Sequence, residues 1–343
     1  MTGYLIICRW LHSNKGRSLT LFMPNVLLIK TSSLGDVVHN LPVVSDIRAR
    51  YPGARIDWVV EEAYGDIVGM HPGVHRIIPV ALRRWRGNVL KLAHWREFGQ
   101  FRYALSGMRY DSVIDTQGLI KSALLAQAAA GTRHGYARDS AREPLAARFY
   151  DVTHSVARDL HAVERNRRLA AKSLGYALPA TLDYGIAAAP AAAARAPYCV
   201  LLHATSRADK LWPEAAWTQL GRELVQQGYA LVLPWGDAPE HARSERLAQS
   251  LPGASVPPAL DIAGVSRLLA GADAVIGVDT GLTHLAAALG RPVVALYCGT
   301  QPGLTGVFAG RGARVRNLGG RSAVPEVAAV RAALTEIAVG AAA

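Results

Sequence analysis

The sequence has few cysteines, and they lie far apart. Cys8, Cys199 and Cys298 are the three cysteines among 343 residues. At this spacing they form neither the close pairs that hold structural zinc nor the bridge framework of small secreted domains. This usage is typical of a reducing compartment, so we expect a cytoplasmic protein.

The sequence also lacks an apolar run long enough to span a bilayer. Within residues 1–22, the short apolar segment 4–8 is followed by basic residues and by no small-residue cleavage site, which makes a poor signal peptide. Met23 stands directly before the first predicted strand. We therefore expect Met23 to be the functional start and residues 1–22 to be a non-native or disordered extension.

Two motifs of nucleotide chemistry are missing. The first strand–turn–helix unit has no Gly-x-Gly-x-x-Gly sequence, which counts against a dehydrogenase. The sequence contains no Asp-x-Asp motif, in which a single residue separates two aspartates and with which other transferases bind a magnesium nucleotide. We expect no obligatory metal and no other cofactor.

Acidic residues are in the minority, with 26 Asp and Glu against 38 Lys and Arg and a formal net charge of +12. Such a balance indicates an anionic partner, which could be nucleic acid, an anionic membrane or a phosphorylated substrate. No helix-turn-helix, zinc-finger or RNP-like motif accompanies the basic stretches. We therefore expect no nucleic-acid partner, although that alternative stays open.

Short apolar segments alternate with helical ones in both halves of the chain. The predicted strands lie at residues 26–29, 55–60, 76–80 and 112–115, and then at 198–202, 230–233, 274–278 and 293–297. This alternation predicts an α/β protein with two doubly wound parallel sheets of the Rossmann type, facing each other across a cleft.

The length suits two domains. An Ala/Pro-rich stretch at residues 187–197 is the candidate linker. It divides the chain into a first domain at residues 23–186 and a second domain at residues 198–324. An Ala-rich C-terminal helix is predicted at residues 325–343.

The segment NVLLIKTSSLGDVVHNLP, residues 25–42, reads as a buried strand, a tight loop and a helix. In an open α/β sheet, such a loop lies at the carboxyl end of the strand, where ligands bind. Gly35 lets the backbone turn tightly or approach a ligand closely. Asp36 has two interpretations, a carboxylate that caps the helix or a catalytic carboxylate in a cleft. Taken alone, this loop favours the cap.

A second such unit follows the strand at residues 274–278. Its turn, Asp279 to His284, offers free N–H groups and the positive end of a helix dipole, which suits phosphate oxygens. Asp279 could bind a sugar hydroxyl or cap the helix. The ends of two other strands supply Thr205, Ser206 and Lys210, and then Glu240.

A lysine beside hydroxyl groups and a helix start suits a diphosphate. Taken singly, Lys210 could be a solvated surface lysine and Glu240 a carboxylate at the start of a helix. Because strand ends of one parallel sheet meet at the same edge, their coincidence favours a ligand site.

Two stretches are strongly basic. Residues 83–109 contain seven basic residues, Arg83 and Arg84 among them, against the single acid Glu97, and residues 133–168 contain eight arginines, including Arg142. Solvated helix faces would explain most of these residues. The excess of arginine over lysine favours two-point recognition of phosphate or carboxylate.

Assembled, these stretches resemble the lipopolysaccharide heptosyltransferases of glycosyltransferase family 9, and the first loop resembles the type I members more than type II. The matching motifs, in chain order, are KTSSLGDVVHNLP, DWVVEE, IPVALRRWR, IDTQGLIKSA, AREPLA, HAVERNR, HATSRADKLWP, LPWGDAPE and VDTGLTHLAAALGRP. They run from residue 23 to about residue 302 and leave residues 1–22 uncovered.

The resemblance implies a GT-B fold that holds the acceptor in the first domain and ADP-heptose in the second. It implies an inverting transfer of L-glycero-D-manno-heptose to the Kdo of Kdo2-lipid A, with no obligatory metal. An acceptor of that kind implies peripheral contact with the inner-membrane surface. A type II heptosyltransferase, or another GT-B nucleotide-sugar enzyme such as an epimerase, remains the alternative.

The resemblance also implies roles for single residues. Asp36 is then the expected general base, Leu260 is expected to pack against the adenine, and Arg83, Arg84 and Arg142 are expected to face the anionic acceptor. The expected donor contacts are Thr205, Ser206, Lys210, Glu240, Leu260, Asp279, Thr280, Gly281 and His284.

Overall fold

A computed structural model of the chain describes residues 23–87, 92–190, 197–310 and 312–339. Within them the chain forms two parallel six-stranded sheets. The first contains β1 Asn25–Ile29, β2 Arg55–Glu61, β3 Arg76–Val80, β4 Arg109–Asp115, β5 Ala130–Tyr136 and β6 Val152–His154. The second contains β7 Tyr198–Leu202, β8 Ala230–Val232, β9 Ala254–Ser255, β10 Ala274–Val278, β11 Val293–Tyr297 and β12 Val315–Gly319.

Helices connect the strands and cover both faces of each sheet. The helices of the first domain, the part with β1–β6, are α1 Leu34–Val38, α2 Leu41–Arg50, α3 Gly65–Gly69, α4 Leu82–Gly87, α5 Leu92–Ser106, α6 Ile120–Ala126 and α7 Ala162–Leu174. Those of the second domain are α8 Glu214–Gln226, α9 Ala238–Gln249, α10 Ile262–Ala270, α11 Gly281–Ala288 and α12 Val327–Val339. Short 3-10 turns lie at Glu62–Tyr64, Pro144–Phe149 and Ala208–Lys210.

Strand β1 shows why the sheet is covered on both faces. Its residues 26–29 are fully buried. Val26 and Leu28 belong to one apolar core, whereas Leu27 and Ile29 belong to the core on the opposite face. Side chains alternate across a strand, so a strand with helices on both sides must be apolar at every position.

The two sheets have the same topology. Their strand orders are β3-β2-β1-β4-β5-β6 and β12-β11-β10-β7-β8-β9, and both follow the Rossmann pattern of 3-2-1-4-5-6. The strand order therefore reverses between β1 and β4 and again between β7 and β10. Ligands of open α/β sheets bind beyond the carboxyl ends of the strands at such reversal points. The predicted fold class is confirmed.

The strands predicted from apolar runs are all present. Four of them, β3, β7, β10 and β11, have the predicted bounds, and the others differ by one to three residues at an end. The strands that were not predicted are β5, β6, β9 and β12. They lie towards the sheet edges, and β12 keeps most of its side chains exposed or half-buried, so an apolar run is not needed there.

Helix α12 lies within the stretch predicted as a C-terminal helix. It packs on the second sheet, where Val330 and Leu334 join the same core as Val294 and Leu296. Residues 1–22, residues 191–196 of the predicted linker and residues 340–343 lie outside the described residues. The domain limits stay predictions. No helix in the described parts of the chain combines the length and apolarity needed to cross a membrane.

The two domains contact each other through α1 and α11, the helices that begin at the two reversal points. A Cβ added to Gly281, the first residue of α11, would lie 2.7 Å from the Cβ of Leu34 in α1. Carbon atoms do not pack that closely. The contact therefore requires glycine at residue 281.

Gly281→Ala tests this contact. We expect the melting temperature to fall, corresponding to about 1–3 kcal/mol of overpacking strain, because neither helix start can move without disturbing its strand. Gly99→Ala in α5 is the matched control, since no heavy atom lies within 4 Å of its added Cβ. Alanine should hold or raise stability there, by roughly 0.5–1 kcal/mol. Unchanged stability in Gly281→Ala would contradict the tight contact.

Candidate functional site

The loop after β1 is held by the loop after β4. The side-chain oxygen of Gln117 accepts hydrogen bonds from the Thr31 amide at 2.7 Å and the Thr31 hydroxyl at 2.9 Å. The Gln117 amide nitrogen donates to the Ser32 carbonyl at 2.8 Å. The reversal point of the first sheet is therefore a rigid support for the residues that follow.

Asp36 lies in the first turn of α1. Its carboxylate accepts a hydrogen bond from the Ser33 amide at 3.0 Å, which is a capping contact. The carboxylate stays 24% exposed and faces the cleft, where an Arg142 nitrogen approaches it to 3.8 Å. The cap interpretation is correct as far as the contacts go, and it leaves the carboxylate within reach of a ligand. The role of Asp36 as a base stays a prediction.

Lys30 is a cleft residue that the sequence pattern did not reveal. Its ammonium group is buried and donates to the Thr116 carbonyl at 3.0 Å and the Asn166 side-chain oxygen at 3.4 Å. Burial lowers the pKa of Lys30, and the nearby Asp36 carboxylate opposes that shift. The available signal was a lone lysine directly after an apolar strand at a reversal point.

Histidines join the two domains at the back of the cleft. His39 of the first domain shares a hydrogen bond of 3.0 Å with His284 of the second, and the edge of the His161 ring packs 5.3 Å from His39 between ring centres. Burial first, and then the neighbouring His284 and His161, lower the pKa of His39 well below its ordinary value. His39 is therefore neutral at physiological pH. Nothing in its sequence context indicated this contact.

On the opposite wall, Asp279 follows β10. Its carboxylate accepts a hydrogen bond from Thr300 at 2.7 Å and forms an ion pair with Lys210 at 2.8 Å, and His284 lies 3.9 Å away. Burial alone would raise the pKa of Asp279, but His284, Lys210 and Thr300 outweigh it and hold the pKa well below its ordinary value. Thr280 occupies the N-cap position of α11, so Asp279 lies one residue before it. Lys210 is not a solvated surface lysine.

The other predicted donor residues surround this pair at different depths. The Thr205 hydroxyl donates to the Asp279 carbonyl at 3.1 Å and so ties the loop after β7 to the loop after β10. Ser206 is exposed. Glu240 lies in the first turn of α9, and its carboxylate accepts a hydrogen bond from the Gly236 amide at 2.8 Å. Leu260 is partly buried and packs against the apolar core that contains Val26 and Leu28. Burial raises the pKa of Glu240.

A cleft of about 460 Å³ lies between the two reversal points. Its basic lining residues are Lys30, Arg142, Arg158, Arg165 and Lys210, and its carboxylates are Asp36 and Asp279. Cations outnumber carboxylates in a partly enclosed space, which favours an anionic ligand. Of the predicted donor residues, Lys210, Asp279 and His284 line this cleft, whereas Ser206, Glu240 and Leu260 do not.

The predicted acceptor arginines separate in space. Arg142 lines the cleft beside Asp36. Arg84 lies on the neighbouring surface, with ion pairs to Glu62 at 3.0 Å and Glu97 at 2.6 Å, and the Arg83 guanidinium lies 5.4 Å from the centre of the Tyr64 ring. Their acceptor role stays a prediction. In the described residues, no group of three or more His, Cys, Asp or Glu side chains is placed to hold a metal ion.

Two Rossmann-type domains that meet across a cationic cleft define the class, which is a protein of GT-B architecture. The sequence model of glycosyltransferase family 9 (heptosyltransferase) matches residues 98–332. The lipopolysaccharide heptosyltransferase 1 of Pseudomonas aeruginosa is 49% identical over 287 residues, which are 82% of this chain and 81% of that protein. The chain belongs to glycosyltransferase family 9, the heptosyltransferases.

A solved structure agrees with this membership. The E. coli heptosyltransferase WaaC with ADP superposes with a TM-score of 0.85 at 44% identity, covering 91% of this chain and 99% of that one. WaaC with ADP-2-deoxy-2-fluoro heptose gives a TM-score of 0.82. By contrast, the lipopolysaccharide heptosyltransferase 2 of Salmonella typhimurium is 26% identical over 82% of this chain and 84% of that protein. The predicted resemblance to the type I members is confirmed.

The Asp279 cluster makes a prediction about acid stability. Because folding lowers the pKa of Asp279, its ionised form stabilises the protein above the ordinary Asp pKa of about 4, and that contribution is lost as the pH falls further. We expect Asp279→Asn to be clearly less stable than the parent at neutral pH. The difference should begin to shrink below about pH 5 and should keep shrinking to well below pH 3, as followed by melting temperature. A difference that stays constant over this range would contradict the assigned shift.

Proposed function

We propose that this chain transfers L-glycero-D-manno-heptose from ADP-heptose to a Kdo residue of Kdo2-lipid A, with inversion at the anomeric carbon. The observation that carries the proposal is one cleft with Asp36 on the first-domain wall and the Lys210–Asp279 pair on the opposite wall. Relatives named lipopolysaccharide heptosyltransferase 1 support the proposal. So do the similar structures of E. coli WaaC with ADP and with a fluorinated ADP-heptose.

The second domain is the proposed donor site. Lys210 supplies positive charge to the diphosphate, and the free N–H groups at the start of α11, from Thr280 and Gly281 onward, supply hydrogen bonds. Asp279 and its partners keep the Lys210 side chain on the cleft wall until the donor arrives. Thr205, Ser206, Glu240, Leu260 and His284 are proposed to complete the contacts to nucleotide and sugar.

The first domain is the proposed acceptor site. Arg142 binds the anionic acceptor beside Asp36, and Arg83 and Arg84 extend the cationic surface outside the cleft. Because the acceptor is a lipid, we place the enzyme in the cytoplasm, in peripheral contact with the inner membrane. We propose that no metal is obligatory, since Lys210 and the helix N–H groups neutralise the leaving diphosphate.

The proposed reaction is a single displacement. Asp36 takes the proton of a Kdo hydroxyl while the oxygen of that hydroxyl attacks the anomeric carbon from the face opposite ADP. The bond between that carbon and the diphosphate oxygen breaks, and ADP leaves with the electron pair. Negative charge develops on the diphosphate as positive charge develops on the sugar ring, so the fixed charge of Lys210 stabilises the transition state. Contact between the domains excludes water and limits donor hydrolysis.

A donor–acceptor matrix tests the reaction. ADP-heptose is incubated with Kdo2-lipid A, with an acceptor that already carries one heptose, and with no acceptor, and products are identified by mass spectrometry. We expect one added heptose on Kdo2-lipid A. Transfer confined to the heptosylated acceptor would identify a type II enzyme. Conversion of the donor's sugar without any acceptor would identify an epimerase.

Asp36→Asn tests the general base. The side-chain oxygen of asparagine can still accept the hydrogen bond from the Ser33 amide, so folding and donor affinity should be retained while kcat falls by roughly 10²–10⁴. The readouts are kcat, KM and melting temperature. Asp66→Asn, in the first turn of α3, is the matched control and should keep parental kcat. If Asp36→Asn keeps most of its turnover, Asp36 is a helix cap and not the base.

Lys210→Ala tests the diphosphate contact. Removing a charge-assisted hydrogen bond of about 1.5–3 kcal/mol should weaken ADP binding about 10- to 100-fold, as measured by titration calorimetry. Arg207→Ala is a matched control on the same loop, since Arg207 is exposed and paired with Asp209. Equal ADP affinity in Lys210→Ala and the parent would remove Lys210 from the donor site.

A further inference from the structure

Large apolar side chains are exposed unevenly over the molecule. Among the described residues, eight are exposed: Met23, Trp95, Tyr103, Leu124, Leu145, Val152, Leu304 and Val324. The first six belong to the first domain. Single exposed apolar residues are ordinary, but several on one face usually mark an interaction surface.

Helix α5 exposes two aromatic residues on its outer side. Trp95 is 62% exposed and Tyr103 is 82% exposed. They stand eight residues apart, so their directions differ by about 80° around the helix axis, and both side chains lie on its outer half. The opposite face of α5 buries Phe101 and Leu105 in the core.

Two leucines lie on the same side of the first sheet. Leu124 of α6 is 52% exposed, and Leu145 of the neighbouring 3-10 turn is 53% exposed. Leu125 and Ala126, next to Leu124, are buried in the same core as Phe101 of α5. Helices α5 and α6 therefore cover one face of the sheet. We call the outward side of these helices and the turn the α5–α6 face.

The α5–α6 face is also basic. Arg96 and Arg102 of α5 and Arg148 of the 3-10 turn are exposed. Glu97, the single acid within residues 83–109, pairs with Arg84 instead of adding negative charge to the outer side. Aromatic rings interleaved with arginines suit the boundary of an anionic bilayer, where rings enter the headgroup layer and guanidinium groups meet lipid phosphates.

We propose that the α5–α6 face docks on the surface of an anionic phospholipid bilayer, an assignment that rests on the proposed function because a lipid-anchored acceptor gives the docking its purpose. Helix α5 begins on the side of the sheet where β3 ends, which is the cleft side. Glu97 in its first half contacts Arg84. Docking through Trp95 thus brings the proposed acceptor arginines, and the cleft behind them, close to the headgroups.

Flotation of the full-length chain with lipid vesicles tests the docking. Vesicles of phosphatidylethanolamine with phosphatidylglycerol are compared with vesicles of phosphatidylcholine alone. We expect the parent to bind the anionic vesicles more tightly, and added salt to weaken that binding. The variant Trp95→Ser/Tyr103→Ser should lose about tenfold or more of this affinity, and Arg96→Gln/Arg102→Gln about fivefold per removed charge.

The controls separate docking from chemistry. Val324→Ser removes an apolar residue that is 54% exposed from the second domain, and this variant should bind vesicles like the parent. Turnover on a deacylated, water-soluble Kdo acceptor should be unchanged in Trp95→Ser/Tyr103→Ser, whereas turnover on vesicle-embedded acceptor should fall. Failure of the parent to transfer heptose at all would count against the proposed function and leave the vesicle measurement valid.

Three results would overturn the docking proposal. One is parental vesicle affinity in the aromatic double variant. Another is the absence of parental preference for anionic vesicles. The third is tight, variant-sensitive binding of a DNA or RNA oligonucleotide by the α5–α6 face without vesicle binding, which would make nucleic acid its partner.

Discussion

The architecture depends on the close approach of two helix starts. Gly281 at the start of α11 lies against Leu34 at the start of α1, and the His39–His284 hydrogen bond closes the same interface. Each helix begins at the reversal point of its own sheet. Because both reversal points face one another, this contact helps to bring the two candidate ligand regions into one cleft. A side chain at residue 281 would strain it.

The two walls of that cleft differ in their electrostatics. On the second-domain wall, Lys210 is held by Asp279, whose own lowered pKa keeps it ionised. On the first-domain wall, Asp36 is held by a backbone amide and stays open to the cleft. Buried Lys30 also lines the cleft and donates to a carbonyl and an amide oxygen. The pattern suits a reaction in which a neutral hydroxyl is activated and an anionic group departs.

The outer surface of the first domain also carries residues whose placement suggests a ligand. Helices that cover a parallel sheet need one apolar face, and α5 has it in Phe101 and Leu105. Its outer aromatic residues, Trp95 and Tyr103, are largely exposed. A bilayer surface suits such exposure, because it offers both an apolar layer and negative charge. The proposed acceptor is itself part of such a surface.

Local sequence patterns are sufficient to predict the fold class and the edge of each sheet at which the candidate site lies. Apolar runs mark strands buried on both faces, and parallel strand ends meet at one edge, so Lys210 and Asp279 are expected at one sheet edge and Asp36 at the corresponding edge of the other sheet. Edge strands such as β12 carry no such signal, because one open side removes the need for an apolar run. The pairing of His39 with His284, residues 245 positions apart, and the burial of Lys30 arise from tertiary packing. Contacts between distant segments follow from how the domains pack, and no local pattern encodes that packing.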